Sequence, residues 1–123
     1  MVLVDSSVWI GHIRSANSHL VSLLKQNAVA VHPWVTGEIA CGNLARRAMV
    51  LGLLNSLPQV SPAQDDEVLV FLDRHQLGGR GIGYIDVHLL AAAAIAAIPL
   101  WTDDRRLAKV AAGLGLQYVP GRP

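Results

Sequence analysis

A three-layer α/β/α fold, with a central parallel sheet of four to five strands and helices on both faces, is what this sequence predicts. Three observations carry that expectation. Short apolar runs, opened by the β-branched stretch Met1 to Val4, are separated by stretches of helical periodicity, and parallel strands need crossovers of that kind. Those runs show no alternation of polar positions, as strands covered on both faces require. Composition agrees, because 52% apolar and 15% charged residues exclude a disordered chain. The 123 residues are expected to form one domain, 1–123, long enough to bury roughly two-thirds of the unfolded surface.

Each element has its own signal. Met1 to Val4 is the first strand and ends on Asp5-Ser6-Ser7, so Asp5 stands at a strand's carboxyl end, where open α/β sheets bind ligands. Val8, Trp9 and Ile13 mark a short helix after it, and Asp5 taken alone reads as its cap. A second helix starts at Asn17 or Ser18, carries Leu20, Val21, Leu23 and Leu24, and closes near Asn27 before a strand over Ala28 to Val31. His32-Pro33-Trp34 turns the chain into a third helix from about Thr36. That start puts Glu38 in the first turn, where the helix dipole favours a carboxylate. Beyond Gly42, one or two helices carry Leu44, Met49, Leu51, Leu53 and Leu54, a region that reads either as core or as a partner or dimer face.

Leu57-Pro58 and Ser61-Pro62 bracket a linker with a short strand possible at Val60. Asp65-Asp66-Glu67 opens a helix ending near His75, and this trio reads as a solvated first turn with no catalytic role. The glycines from Gly78 to Gly83 follow no strand and end in no Gly-Lys-Ser/Thr, so they form an approach to Asp86 and not a phosphate loop. A helix from Ile85 presents Leu89, Leu90, Ala93, Ala94 and Ala97 to the sheet, small residues that allow close packing. Pro99 stops it, Leu100-Trp101-Thr102 is the next strand, Asp104 opens a last helix closed by Gly113, and Leu116 to Val119 completes the sheet.

Charge is distributed unevenly. Of nine acids, Asp65, Asp66, Glu67 and Asp73 sit together, and the others are Asp5, Glu38, Asp86, Asp103 and Asp104. If those five converge, the remaining surface is largely basic, which suits a polyanionic substrate meeting an acidic site. Asp5 and Asp104 follow strands at one carboxyl edge, and Glu38 and Asp86 open helices entered from it. Each acid alone is a cap. Four on one edge would repel by several kcal/mol if unpaired, which favours a bound divalent cation. Oxygen-only donors indicate Mg²⁺ or Mn²⁺, and the five histidines lack the close spacing of zinc ligands. Cys41, the single cysteine, can form no internal disulfide, suits a reducing cytosol and reads as a small buried thiol. Residues 1 to 13 lack a basic leader, and the longest apolar run is broken at Pro99, so a soluble, cytoplasmic protein with no membrane contact is expected.

The motifs Val4-Asp5-Ser6-Ser7-Val8-Trp9-Ile10, Glu38-Ile-Ala-x-Gly42, Gly83-x-x-Asp86-x-x-Leu-Leu-Ala and Leu100-x-Thr102-x-Asp104 resemble those of the PIN domain, and within it the VapC-type ribonuclease toxins. The resemblance covers nearly the whole chain. It implies that Asp5, Glu38, Asp86 and Asp104 are both the metal-binding and the catalytic residues of a Mg²⁺- or Mn²⁺-dependent endoribonuclease. Thr102 and Ser7 would support the carboxylates, while Asp103 falls on a variable position outside the metal site. Arg80, Arg105 and Arg106 are candidates for the RNA backbone, with plain solvation the alternative for each. The resemblance also implies a cognate antitoxin whose tail blocks the acids, and a homodimer. A phospho-signalling receiver would need an acidic pair after the first strand, an acceptor Asp after a middle strand and a late Lys, a set this chain lacks. A non-catalytic RNA-binding or protein-interaction module on the same fold is the remaining alternative, and it would be expected to have lost one of the acids.

Overall fold

The computed structural model describes residues 1–121. Its sheet has three strands, β1 (Val2–Val4), β2 (Val29–Ala30) and β3 (Leu100–Trp101), in the order β2-β1-β3. Both pairings are parallel, with Val2 opposite Val29 and Leu3 opposite Leu100. The connections are helical: α1 (Ser6–Arg14) and α2 (Ser18–Lys25) lead from β1 to β2. Four helices, α3 (Pro33–Ala40), α4 (Arg47–Ser56), α5 (Asp65–Arg74) and α6 (Tyr84–Ala96), lead on to β3, and α7 (Arg105–Gly113) follows it. Parallel pairing puts the ends of all three strands on one edge, and that edge receives Asp5, His32 and Thr102.

The expected four to five strands reduce to three. The two remaining segments pair at single residues, Val31 with Gln59 and Leu100 with Gln117, both parallel. Each such edge carries only two ladder hydrogen bonds: Val31 N–H to Pro58 and Val60 N–H to Val31 on one side, Leu100 N–H to Leu116 and Tyr118 N–H to Leu100 on the other. Proline explains the brevity. Pro58, Pro62 and Pro120 have no N–H to donate, so neither edge can lengthen.

One hydrophobic core joins the strands to all seven helices, with Leu3, Val4, Leu20, Leu54, Val68, Leu89, Leu90, Leu100 and Leu107 sealed from solvent. In α6 every residue from Val87 to Ala93 is buried, so this helix runs through the interior instead of lying on the sheet by one stripe. Ala94 and Ala97 are exposed, contrary to expectation. The reason is the helix end: Ala97 adopts the left-handed conformation (φ 56°) as its cap, two residues before Pro99. Cys41, expected to be buried, is exposed, because it caps the outer end of α3 just before the turn at Gly42. No helix among the described residues is long and apolar enough to cross a membrane.

Candidate active site

The site is anchored by Asp5, 5% exposed, the first residue past β1. Its backbone N–H donates to the Trp101 carbonyl at 2.9 Å, tying it to the end of β3. Its side chain makes no capping bond to α1. Instead, Oδ2 accepts from the Ser7 hydroxyl at 2.8 Å and the Thr102 hydroxyl at 2.7 Å. Ser7 Oγ in turn accepts the Asp103 N–H at 2.9 Å, and Thr102 Oγ1 accepts the Asp104 N–H at 3.0 Å. Each hydroxyl has one proton and gives it to Asp5; the 3.2 Å approach of the two hydroxyls is then a contact without a shared proton. Both expected supports, Ser7 and Thr102, therefore hold the same carboxylate oxygen.

The other acids arrive on helices. Asp104 caps α7, its Oδ1 accepting the Leu107 N–H at 3.0 Å. Asp86 is the third residue of α6, and its Oδ2 accepts the Gly83 N–H at 3.0 Å. Glu38 is not in a first turn: Pro33 is the first residue of α3, so Glu38 is the sixth. Proline's fixed φ suits that first position, and the dipole account of Glu38 falls with the earlier start. Ser6, unremarked in the sequence, lies 3.4 Å from both Asp5 Oδ1 and Glu38 Oε1 and bridges the two acids. Among the described residues, Asp86 Oδ1, Asp104 Oδ2 and Glu38 Oε2 have no protein donor, and Asp5 Oδ1 has only the long approach of Ser6.

These carboxylates feel one another. Partial burial raises the Glu38 carboxyl above its ordinary value, and the charges of Asp5 and Asp86 raise it further. Asp86 is also raised, by burial first and by Asp5 and Asp104 as well, against the lowering bond from Gly83. Asp5 and Asp86 thus link Glu38 to Asp104 in one field of like charge. Among the described residues no Lys or Arg nitrogen is within ion-pair distance of any of the four. Nor do any three acidic, His or Cys side chains among those residues stand close enough to grip an ion as they are.

A family model described as PIN domain matches residues 2–113. The chain belongs to the PIN-domain family. Ribonuclease VapC32 of Mycobacterium tuberculosis is 43% identical over 117 residues, 94% of this chain and 94% of that protein. The fold of this PIN domain is shared by a toxin–antitoxin complex from Klebsiella pneumoniae, with a TM-score of 0.72, 17% identity and full coverage of both chains. FitAcB from Neisseria gonorrhoeae superimposes with a TM-score of 0.62 and 17% identity over 91% of this chain and 94% of that one.

Arg80, Arg105 and Arg106 are exposed. Arg106 lies over the glycine loop: a Cβ built on Gly81, whose φ is +80°, would stand 2.9 Å from Arg106 Cδ. Gly81 thus gives that arginine its place beside the approach to Asp86. Asp103 is exposed and uses its backbone, through Ser7, with no side-chain bond to the other acids. The acidic trio of α5 is more than a solvated turn, since Asp65 Oδ1 accepts the Tyr84 hydroxyl at 2.8 Å and lies 3.1 Å from His88 Nε2.

Proposed function

We propose that this PIN domain is a Mg²⁺- or Mn²⁺-dependent endoribonuclease toxin, acting in the cytoplasm on RNA and held inactive by a cognate antitoxin. The observation that carries this reading is the run of four mutually repelling carboxylates at the strand edge, each with an oxygen left without a good protein donor. Structural caps need no such crowding, whereas a divalent ion relieves it. The donors are all oxygen, which fits a hard cation. Their oxygens are not gathered into a cage, so an ion held among the four would be met by some of them directly and by the others through its own waters. Asp5, Asp86 and Asp104 would hold it with Glu38, and the ion would supply charge neutralisation and a water of lowered pKa.

The chain's own part is positional. Ser7 and Thr102 fix Asp5 Oδ2 and so leave Oδ1 directed at Glu38 through Ser6. Asp104 and Asp86 are each held by one backbone N–H, which sets their rotamers without using both oxygens. Glu38 is placed, through Ser6 and beside Asp5, to orient a water for attack. Arg80, Arg105 and Arg106 supply positive charge for the RNA backbone next to the acids. The 43% identity to a protein named a ribonuclease supports the substrate class.

The protein partner is assigned to a different surface. A groove of about 750 Å³ between α1 and α4 is lined by Trp9, Ile13, Leu44, Met49, Leu53 and Leu54, with Met49 60% and Leu53 43% exposed. An antitoxin covering this groove could extend its tail to the acids, and a homodimer is the second occupant we propose for exposed apolar surface of this chain. The decisive assay incubates purified, antitoxin-free protein with structured RNAs in Mg²⁺, in Mn²⁺ and in chelator. Metal-dependent cleavage supports the reading; its absence across diverse RNAs would leave a non-catalytic binding module.

A further inference from the structure

Two exposed aromatic rings stand at the starts of the helices that bring Glu38 and Asp86 to the edge. Trp34 and Tyr84, 36% and 41% exposed, open α3 and α6, the two helices that carry Glu38 and Asp86. Trp34 lies four residues before Glu38, one turn away on the same helix face, and Tyr84 lies two residues before Asp86. Their ring centroids are 6.1 Å apart at 59°. Single exposed aromatics are ordinary; these differ in how firmly they are held. The buried imidazole of His88 packs against both, with centroids 4.0 Å from Trp34 and 4.7 Å from Tyr84. Asp65 fixes that arrangement by accepting the Tyr84 hydroxyl and meeting His88 Nε2 with the same oxygen. On the other side, buried His32 accepts the Trp34 backbone N–H at 3.0 Å and packs edge-on to its ring.

We infer that Trp34 and Tyr84 form a stacking platform for an unpaired nucleobase adjacent to the phosphodiester presented to the four carboxylates. The inference rests on the ribonuclease reading and adds to it how single-stranded RNA is gripped. The flanking arginines attract phosphates that the acids repel, and a base seated on a rigid aromatic face adds attraction that the acids do not oppose. Rings fixed before binding lose little freedom when a base stacks on them. Stacking also tolerates any base, because every base has a π face.

Intrinsic fluorescence in chelator, with a short single-stranded RNA, tests this without cleavage. Trp9 and Trp101 are buried at 2% and 4% exposure, so quenching by RNA reports Trp34. The parent should be quenched saturably. Trp34→Leu and Tyr84→Leu, which keep apolar bulk over His88 but lose the π face, should each weaken binding roughly 5- to 100-fold, read for parent and both variants by the anisotropy of an end-labelled RNA because Trp34→Leu lacks the reporter, with the salt slope of binding unchanged because no phosphate contact is removed. An abasic nucleotide placed along the oligonucleotide should weaken the parent similarly at one position and cost the variants little more. This last arm uses intact protein, so it stands even if a variant folds poorly. Parent-like binding by both variants, or no position sensitive to base removal, would overturn the platform while metal-dependent cleavage by the parent left the ribonuclease reading in place. A parent that neither binds nor cleaves RNA would overturn both.

Discussion

At the scale of single residues, the hydroxyls around Asp5 decide whether its carboxylate is usable. Thr102→Val removes the 2.7 Å donor and strands the Asp104 N–H that Thr102 accepts. Stability should fall by about 1–2 kcal/mol, and metal affinity by roughly 10- to 100-fold, the usual cost of losing a group that orients a ligand; calorimetric Mn²⁺ titration of the folded variant measures the second. His32 gives a separate pH signature. Burial, helped by nearby His88, lowers it from 6.5 to about 4, so the folded protein binds fewer protons there than the unfolded chain. That contribution is fully present above pH 6.5 and is lost as pH falls toward 4. His32→Asn keeps an acceptor for the Trp34 N–H and removes the titration. The parent's stability relative to this variant should therefore rise by roughly 3 kcal/mol from pH 4 to pH 7, as read by urea unfolding at each pH; a flat difference would contradict it. Sequence alone singled out Asp5, Glu38, Asp86 and Asp104, because acids amid apolar residues stand out, although it put Glu38 in a first turn where the structure does not. It could not gather Trp34, Asp65, Tyr84 and His88, which only packing between α3, α5 and α6 brings together, nor find the bridging Ser6, which looks like any helix-start serine.

At the scale of elements, the helices were legible from their caps and periodicity, and the errors lie where proline changes the outcome. Pro33 starts α3 a turn sooner than expected and moves Glu38 out of the dipole's reach. Pro58, Pro62 and Pro120 cut two expected strands to single bridges. Pro99 seemed to be the end of α6, yet the helix closes earlier at Ala97 in a left-handed conformation that alanine adopts reluctantly. Glycine has no such penalty at a helix C-cap. Ala97→Gly, at an exposed position, should thus stabilise the fold by roughly 1 kcal/mol, a rise of a few degrees in melting temperature. A lower melting temperature would mean that backbone freedom gained by the unfolded chain outweighs the relief of strain.

At the scale of the whole molecule, the parallel sheet is a device for bringing four carboxylates from positions 5, 38, 86 and 104 to one edge under a field their neighbours do not neutralise. Arginines flank that edge, so RNA affinity should fall with salt; Arg105→Ala and Arg106→Ala should each flatten that dependence and weaken binding alike for different sequences. Unchanged slopes would assign both arginines to solvent. The claim on which everything else depends is that the four acids form one divalent-cation site and are not four independent caps. Asparagine caps a helix about as well as aspartate, so Asp86→Asn and Asp104→Asn separate the two accounts. Burial first and the neighbouring like charges second raise the Glu38 and Asp86 carboxyls, the folded protein then holds more protons there than the unfolded chain, and metal-free stability falls as pH rises from the ordinary carboxylate range through the raised values. Near neutral pH each variant should therefore melt above the parent without metal. With Mn²⁺ at a hundredfold excess over its dissociation constant the parent should gain about 2.7 kcal/mol, and the variants distinctly less. Thermal melts of the three proteins with and without Mn²⁺ are the most direct test: equal metal-free melting temperatures together with an undiminished Mn²⁺ response in the variants would contradict the four-carboxylate site.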